Sequence, residues 1–454
     1  MSYTVAAVCA VVASVLYLAF PVLWEAARKR NMAKYTAYYD LKTLGHSRET
    51  SSKIPGTAVV CGGSIAGLLT ARACHDHFER VVIIEPEAWL STDEGRQTEA
   101  LNQTSKRARI IQYDVYHGFH SLIYRAMANF FPDFDNAAAA SGIKVDRTDM
   151  DYRISGVSPP SAPKFYGGNT PKRLWSSRRG LETLLRRLVL DTKAYPNIEQ
   201  FVGSVLNNAT GAAQAGHKWL PALGFAQDLQ IQSYNPRAVY GSMTMRVPSS
   251  FWDSLSHMPD NARGPAAGPV PLPQWLFDFL DKLHEVEDTL AFQKIRQNAD
   301  PSSLLPYEKC ARLPENFVAL GDANCRVNPI YGQGFAKVVN GVSSLNTLLE
   351  QGRFERALPR DFGRKFFNMQ APKIEPLWTN PKLFDTVPVP GESDNQMYKF
   401  KRRYIANLRK LAFKDEQAKL AMYRTSMMLD SATIDYFHPA LIIKVFWQWM
   451  TSTA

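Results

Sequence analysis

At 454 residues, 45% hydrophobic and 21% charged, the chain exceeds a usual domain of about 100–200 residues, can bury a large core, and is excluded from the low-complexity classes. Its 53 Lys+Arg against 42 Asp+Glu give a net charge of +11, which favours acidic partners. No zinc-ligand spacing, RNA-binding signature or aromatic-and-basic stripe accompanies that charge, so no nucleic-acid partner is expected; five scattered cysteines without CxxC spacing argue for a reducing compartment.

Residues 1–24 carry no charged side chain, and Val5 to Trp24 is apolar almost throughout, close to the roughly 20 residues that span a bilayer. The rival, a cleaved signal peptide, would carry its cations first; here Arg28, Lys29 and Arg30 follow. The expectation is an uncleaved membrane anchor over 1–27, single-pass through residues 4–24, with the body on the cytosolic side of the endoplasmic reticulum. Residues 28–55, ending in a Ser/Pro/Gly-containing run, read as a linker.

Thr57–Cys61 is a short apolar strand, and Gly62-Gly63-Ser64-Ile65-Ala66-Gly67 leads from it into a helix ending near His77. Val81–Ile84 is a second buried strand, closed by Glu85 about 20 residues after the turn. This is a dinucleotide-binding pattern. Gly62 permits the turn, a small residue at 64 lets the backbone approach a pyrophosphate, Gly67 allows helix to pack on strand, and Glu85 would accept from ribose hydroxyls. Ser64 departs from the glycine the pattern prefers. His75-Asp76-His77 suggests a metal only superficially, because neighbouring helical residues point apart.

Farther on, Asn316–Leu320 reads as another buried strand running into Gly321-Asp322. Asn328-Pro329-Ile-Tyr-Gly332-Gln-Gly334 follows, then a helix from Phe335 to Leu348. With the first turn, this second motif resembles the FAD site of flavin monooxygenases of the para-hydroxybenzoate hydroxylase type, over roughly residues 56–350. The likeness is nearest to fungal membrane-bound members, distant relatives of squalene epoxidase. By that resemblance Asp322 would bond the ribityl chain, the helix after Gly332 and Gly334 would face the flavin, and Pro329 would shape the oxygen pocket. Within Lys106–Tyr113, Arg109 would reach the diphosphate or ribityl chain; in Ser177–Glu182, Arg178 would touch the adenosine.

The resemblance implies an α/β fold: a Rossmann-like FAD-binding domain of the glutathione-reductase type, with a truncated β-rich substrate domain, an N-terminal transmembrane helix and a helical C-terminus. Its parts are expected at 56–215 (FAD-binding, first part), 216–300 (substrate domain), 301–350 (FAD-binding, second part) and 351–454 (helical). The family's β-rich excursion looks shortened at 205–211 and again between 248 and 271, thinning the substrate pocket. Gln274–Glu287 and Gln396–Asp430 read as helices, and Phe437–Met450 as a helix lying on a membrane interface or packed on the core. The implied function is an FAD-dependent monooxygenase that uses NADPH or NADH and O2 to epoxidise or hydroxylate a lipophilic terpenoid or polyketide. A flavin dehydrogenase or reductase, and a non-catalytic membrane flavoprotein, stay open as alternatives.

Overall fold

Glycine and apolar runs set the first half. The computed structural model describes residues 3–107, 110, 112–147, 163–203, 214–237, 239–244, 250–251, 274–289, 293–298, 301–388, 391–428 and 433–451. A long helix, α1 (Tyr3–Tyr35), leads to β1 (Ile54–Cys61), α2 (Ile65–His75) and β2 (Phe78–Glu85). Next come β3 (Tyr116–Phe119), α3 (Ser121–Phe130), α4 (Phe134–Ala140), β4 (Lys144–Asp146), β5 (Arg173–Ser177), α5 (Arg178–Val189) and β6 (Ile198–Val202). The middle holds α6 (Gly216–Ala222), β7 (Gln232–Tyr234), β8 (Val239–Thr244), α7 (Gln274–His284), β9 (Gln293–Asn298) and β10 (Ser302–Leu304). The chain closes with β11 (Cys325–Arg326), α8 (Gly334–Gln351), α9 (Phe362–Asp385), α10 (Gln396–Ala412), α11 (Glu416–Met427) and α12 (Pro439–Thr451).

β1, β2 and β6 form a parallel sheet in that order, with Val60 opposite Ile83 and Ile83 opposite Gln200. Val81 and Ile83 are wholly buried, as a strand covered by helices requires. β3, β5 and β4 make an antiparallel sheet, β11, β10 and β7 another, and β8 pairs with β9. The architecture is therefore mixed α/β. Helix α8 runs through the centre, packed on α2 and α9, with Val339, Val342, Leu345 and Leu349 all buried.

Two expectations need correction, and a third finds no support. Asn316–Leu320 is extended chain outside any ladder: the Gln370 amide of α9 donates to the Ala319 carbonyl (3.1 Å), and Gly363 N–H donates to Glu315 (2.7 Å). The Ala319 carbonyl is taken by α9 and Ala319 alone is fully buried, so the run is half-covered chain beside that helix. Residues 28–55 are not a free linker. Leu41 and Leu44 lie in the main core, and Arg48 donates to the Leu349 (2.6 Å) and Glu355 (2.7 Å) carbonyls, finishing the C-terminal end of α8. Finally, no helix among the described residues is long and apolar enough to cross a membrane, which leaves the transmembrane span expected at residues 4–24 without support.

The C-terminal segment has a second core, in which Tyr404, Leu408 and Leu411 of α10 meet Ala418 and Ala421 of α11 and Leu441 and Val445 of α12. The stretch Gln396–Asp430, expected to be mostly helical, holds two helices, α10 and α11. Asp415 breaks it, its carboxylate capping α11 by accepting from Ala418 N–H at 2.9 Å. The shortened stretch at 205–211 and nearly all of 248–271 lie outside the described residues.

Candidate cofactor site

The first turn is dictated by sterics. Gly62 sits at φ 103°, and a Cβ on Gly67 would stand 1.7 Å from the Gly62 carbonyl oxygen, so only glycine lets α2 start this close to β1. Ser64 is extended and precedes α2 without capping it. Its hydroxyl donates to Glu182 Oε2 (2.9 Å) and accepts from Arg178 Nη2 (3.3 Å) instead. The opening amides of α2, at Ile65, Ala66 and Gly67, thus receive no side-chain cap, which suits them to a phosphate.

Glu85 ends β2 as expected but is buried and engaged. Its carboxylate accepts from Gly63 N–H (2.7 Å) and Glu87 N–H (3.1 Å), and Arg107 Nη2 lies 3.1 Å from both oxygens. The ribose contact expected of it is therefore covered: a carboxylate taken from water needs its own partners, and here they hold the turn. Arg107 also reaches Glu182 Oε1 (2.5 Å), which Arg186 approaches at 3.0 Å while donating to the Gly63 carbonyl at 2.6 Å. Burial alone would raise the Glu182 carboxyl, but Arg107, Arg186 and Arg178 outweigh it and hold it down at about 2.

The second motif comes up against the first. Gly321, at φ 60°, is so close to the start of α2 that an added Cβ would lie 3.5 Å from Ala66 Cβ and 3.2 Å from Val338 Cγ2. Asp322 follows, 40% exposed, bonded by Lys337 Nζ at 2.8 Å. Burial opposes ionisation there, and the Lys337 ammonium overcomes it, keeping Asp322 below the usual carboxylate range. Lys337 itself is 1% exposed and also donates to the Cys325 carbonyl. Pro329 opens a single 3-10 turn through Tyr331, where Asn328 Oδ1 accepts from Ile330 N–H at 3.1 Å. Gly332 needs its φ of 65°, and a Cβ there would meet His120 Nε2 at 3.1 Å. Burial first, then the charge of Arg173, pushes His120 down to about 4, so a neutral imidazole backs this loop. Gly334 begins α8, again with no side-chain cap, and has open space around it.

Arg178 bridges the two halves. Besides Ser64 it faces the Phe335 ring at 6.0 Å and helps to depress Asp322. Its Nε is buried without a hydrogen bond, with Glu182 Oε2 3.8 Å away. An uncapped pair of helix starts, a guanidinium with an unused donor between them and a half-exposed Asp322 fit the diphosphate and ribityl parts of FAD. Glu85 does not fit the adenosine ribose as it stands. Arg109 lies outside the described residues. His75, Asp76 and His77 serve packing: Asp76 pairs with Arg72 at 2.7 Å, and His77 accepts from Arg48 at 3.1 Å and bonds Asn346 at 3.1 Å.

Sequence reasoning passed over Arg107, Glu182, Arg186, Lys337 and Asp385. Glu182 and Arg186 do show an i,i+4 spacing, and Lys337 stands in an apolar helix where a lone charge calls for a partner. Asp385, at the end of α9, gives no such signal, yet it accepts from Asn328 Nδ2 (2.8 Å), Tyr331 OH (2.9 Å) and Tyr234 OH (3.1 Å).

No protein-family model matches the chain, and no curated protein sequence does. Among solved structures it is similar to p-nitrophenol 4-monooxygenase PnpA from Pseudomonas putida DLL-E4, at 14% identity over 84% of this chain and 99% of that one, with a TM-score of 0.44. It is also similar to PqsL, a probable FAD-dependent monooxygenase from Pseudomonas aeruginosa (12%, 81% and 99%, 0.40). A third is the flavin-dependent brominase Bmp2 (10%, 87% and 99%, 0.46). All three fall below a TM-score of 0.5, so the functional argument stands on this chain's own residues.

Proposed function

We propose that this chain is an FAD-dependent monooxygenase that uses NADPH or NADH and O2 to epoxidise or hydroxylate a lipophilic small molecule of the terpenoid or polyketide class. The observation that carries it is the meeting of the two motifs: Gly321 packs against Ala66, and Arg178 reaches from Ser64 to the Phe335 end of α8. When bound, FAD supplies the hydride acceptor and the activation of oxygen. The chain's share is to seat it: the start of α2 and Arg178 hold the diphosphate, Asp322 takes ribityl hydroxyls, and the start of α8 stabilises negative charge on the ring. Lys337 keeps Asp322 ionised for that contact. Neutral His120 supports Gly332 without adding charge. A membrane-bound location with a cytosolic body belongs to the same reading, supported by the uncharged residues 1–24 and the cations at 28–30.

One observation favours a second reading, a flavoprotein without turnover: Arg107 closes Glu85, the acid expected to receive ribose. The visible spectrum of purified protein with NADPH, taken anaerobically and then in air, separates them. Bleaching of the flavin band followed by recovery on oxygen supports the monooxygenase. Bound flavin that NADPH leaves unbleached supports the second reading, and absence of flavin defeats both.

A further inference from the structure

We propose that α1 and α12 together form a platform that docks this protein onto an anionic phospholipid surface, entering one leaflet. The first observation is on α1. Val8, Val11, Val15 and Val22 share one side of it, Tyr17 lies on the opposite side, and all are at least half exposed. A helix that mates with another protein needs one apolar stripe; one that is apolar on opposite sides and uncovered needs an apolar solvent around it. Uncovered apolar side chains run from Val8 to Leu23, and no helix among the described residues is long and apolar enough to cross a membrane. Such a stretch suits insertion into one leaflet.

The second observation is on α12, which is two-sided. Leu441 and Val445 are fully buried against α10, while Ile443, Trp447 and Met450, at helical spacing, are about 70% exposed. A short helix with a packed side and an aromatic-rich free side lies in the membrane interface. Helix α1 is fastened to the short segment that leads into α12. Arg28 pairs with Asp435 at 3.0 Å, and the His438 ring meets Trp24 edge-on at 4.7 Å and Phe20 at 5.5 Å. These aromatics stand where the apolar stretch of α1 reaches the body, the level at which Trp and Tyr anchor at a bilayer surface.

Charge identifies the lipid. Glu25 is the only carboxylate before Asp40, whereas Lys29, Arg30 and Lys34 are exposed beside the apolar stretch. Exposed Lys399, Lys401 and Arg403 lie on α10, the Arg403 guanidinium 4.4 Å from the Trp449 ring centroid. Cations framing an apolar face complement acidic headgroups.

Flotation of the full-length protein with vesicles tests this, and it reads the same with or without flavin. Wild type is expected to float with phosphatidylcholine vesicles containing phosphatidylserine and several-fold less with phosphatidylcholine alone. The double variant I443D/W447D, both exposed positions, should keep its thermal midpoint and lose about tenfold or more of that binding. Alkaline carbonate should release wild type from the vesicles. The proposal is overturned by absence of flotation, by equal flotation of wild type and variant, by retention after carbonate, or by a wild-type dimer that the variant breaks without any vesicle binding.

Discussion

Glu182 shows what a single side chain does here. It is wholly buried and meets Arg107 and Arg186 directly. Glu182→Gln takes the carboxylate partner from Arg186 and leaves Arg107 with Glu85 and Glu87 alone, and removing one member of such a buried set costs about 3–5 kcal/mol. Urea denaturation should show that loss. Gly67→Ala drives a methyl into the Gly62 carbonyl and should cost about 3 kcal/mol or more, read the same way. The glycines were legible because their backbone demands follow from the turn itself. The ion pairs were not: Arg107 lies 75 residues from Glu182, and nothing in the spacing joins them.

At the scale of elements, the Asp385 carboxylate ties the end of α9 to β7 and to the loop that carries Pro329. Asp385→Ala removes the acceptor for Asn328, Tyr331 and Tyr234 together and should destabilise the fold by about 1–3 kcal/mol. Asp385→Asn, which retains an acceptor oxygen, should lose less; a denaturant midpoint ordered wild type, Asn, Ala checks it. The helix α2 and its flanking strands were readable from periodicity and the glycine turn. Asn316–Leu320 was misread because its apolar part, Phe317–Leu320, has no period to tell strand from half-buried chain, and the choice was made by Gln370 and Gly363, far along the sequence. Residues 28–55 misled for the opposite reason: their composition is polar, yet Arg48 finds carbonyls at the end of α8.

For the molecule as a whole, acid is the weak side. Burial pushes His77, His117 and His120 each down to about 4 from an ordinary 6.5. The unfolded chain binds these protons first, so the stability they contribute is complete above pH 6.5 and falls as pH drops toward 4, by about 1.4 kcal/mol per histidine per unit. Thermal midpoints across that window should fall steeply, and His77→Asn should flatten the slope. Topology has its own check: the Asn102 sequon is exposed, so a body on the cytosolic side predicts no glycan there, and a glycan found by mass spectrometry contradicts it. The α/β class and the pairing of two glycine motifs were readable in the sequence, whereas the covering of Glu85 by Arg107 depends on the assembled fold.

The central claim is that the two motifs form one FAD seat with Arg178 and Asp322 inside it. Calorimetric titration of FAD into flavin-free protein tests that most directly. Wild type should bind one equivalent, and Arg178→Ala and Asp322→Asn, the second leaving Lys337 an acceptor oxygen, should each weaken binding by roughly tenfold or more, as loss of a charge-assisted hydrogen bond requires. Failure of wild type to bind FAD, or equal affinity in all three proteins, would contradict the account.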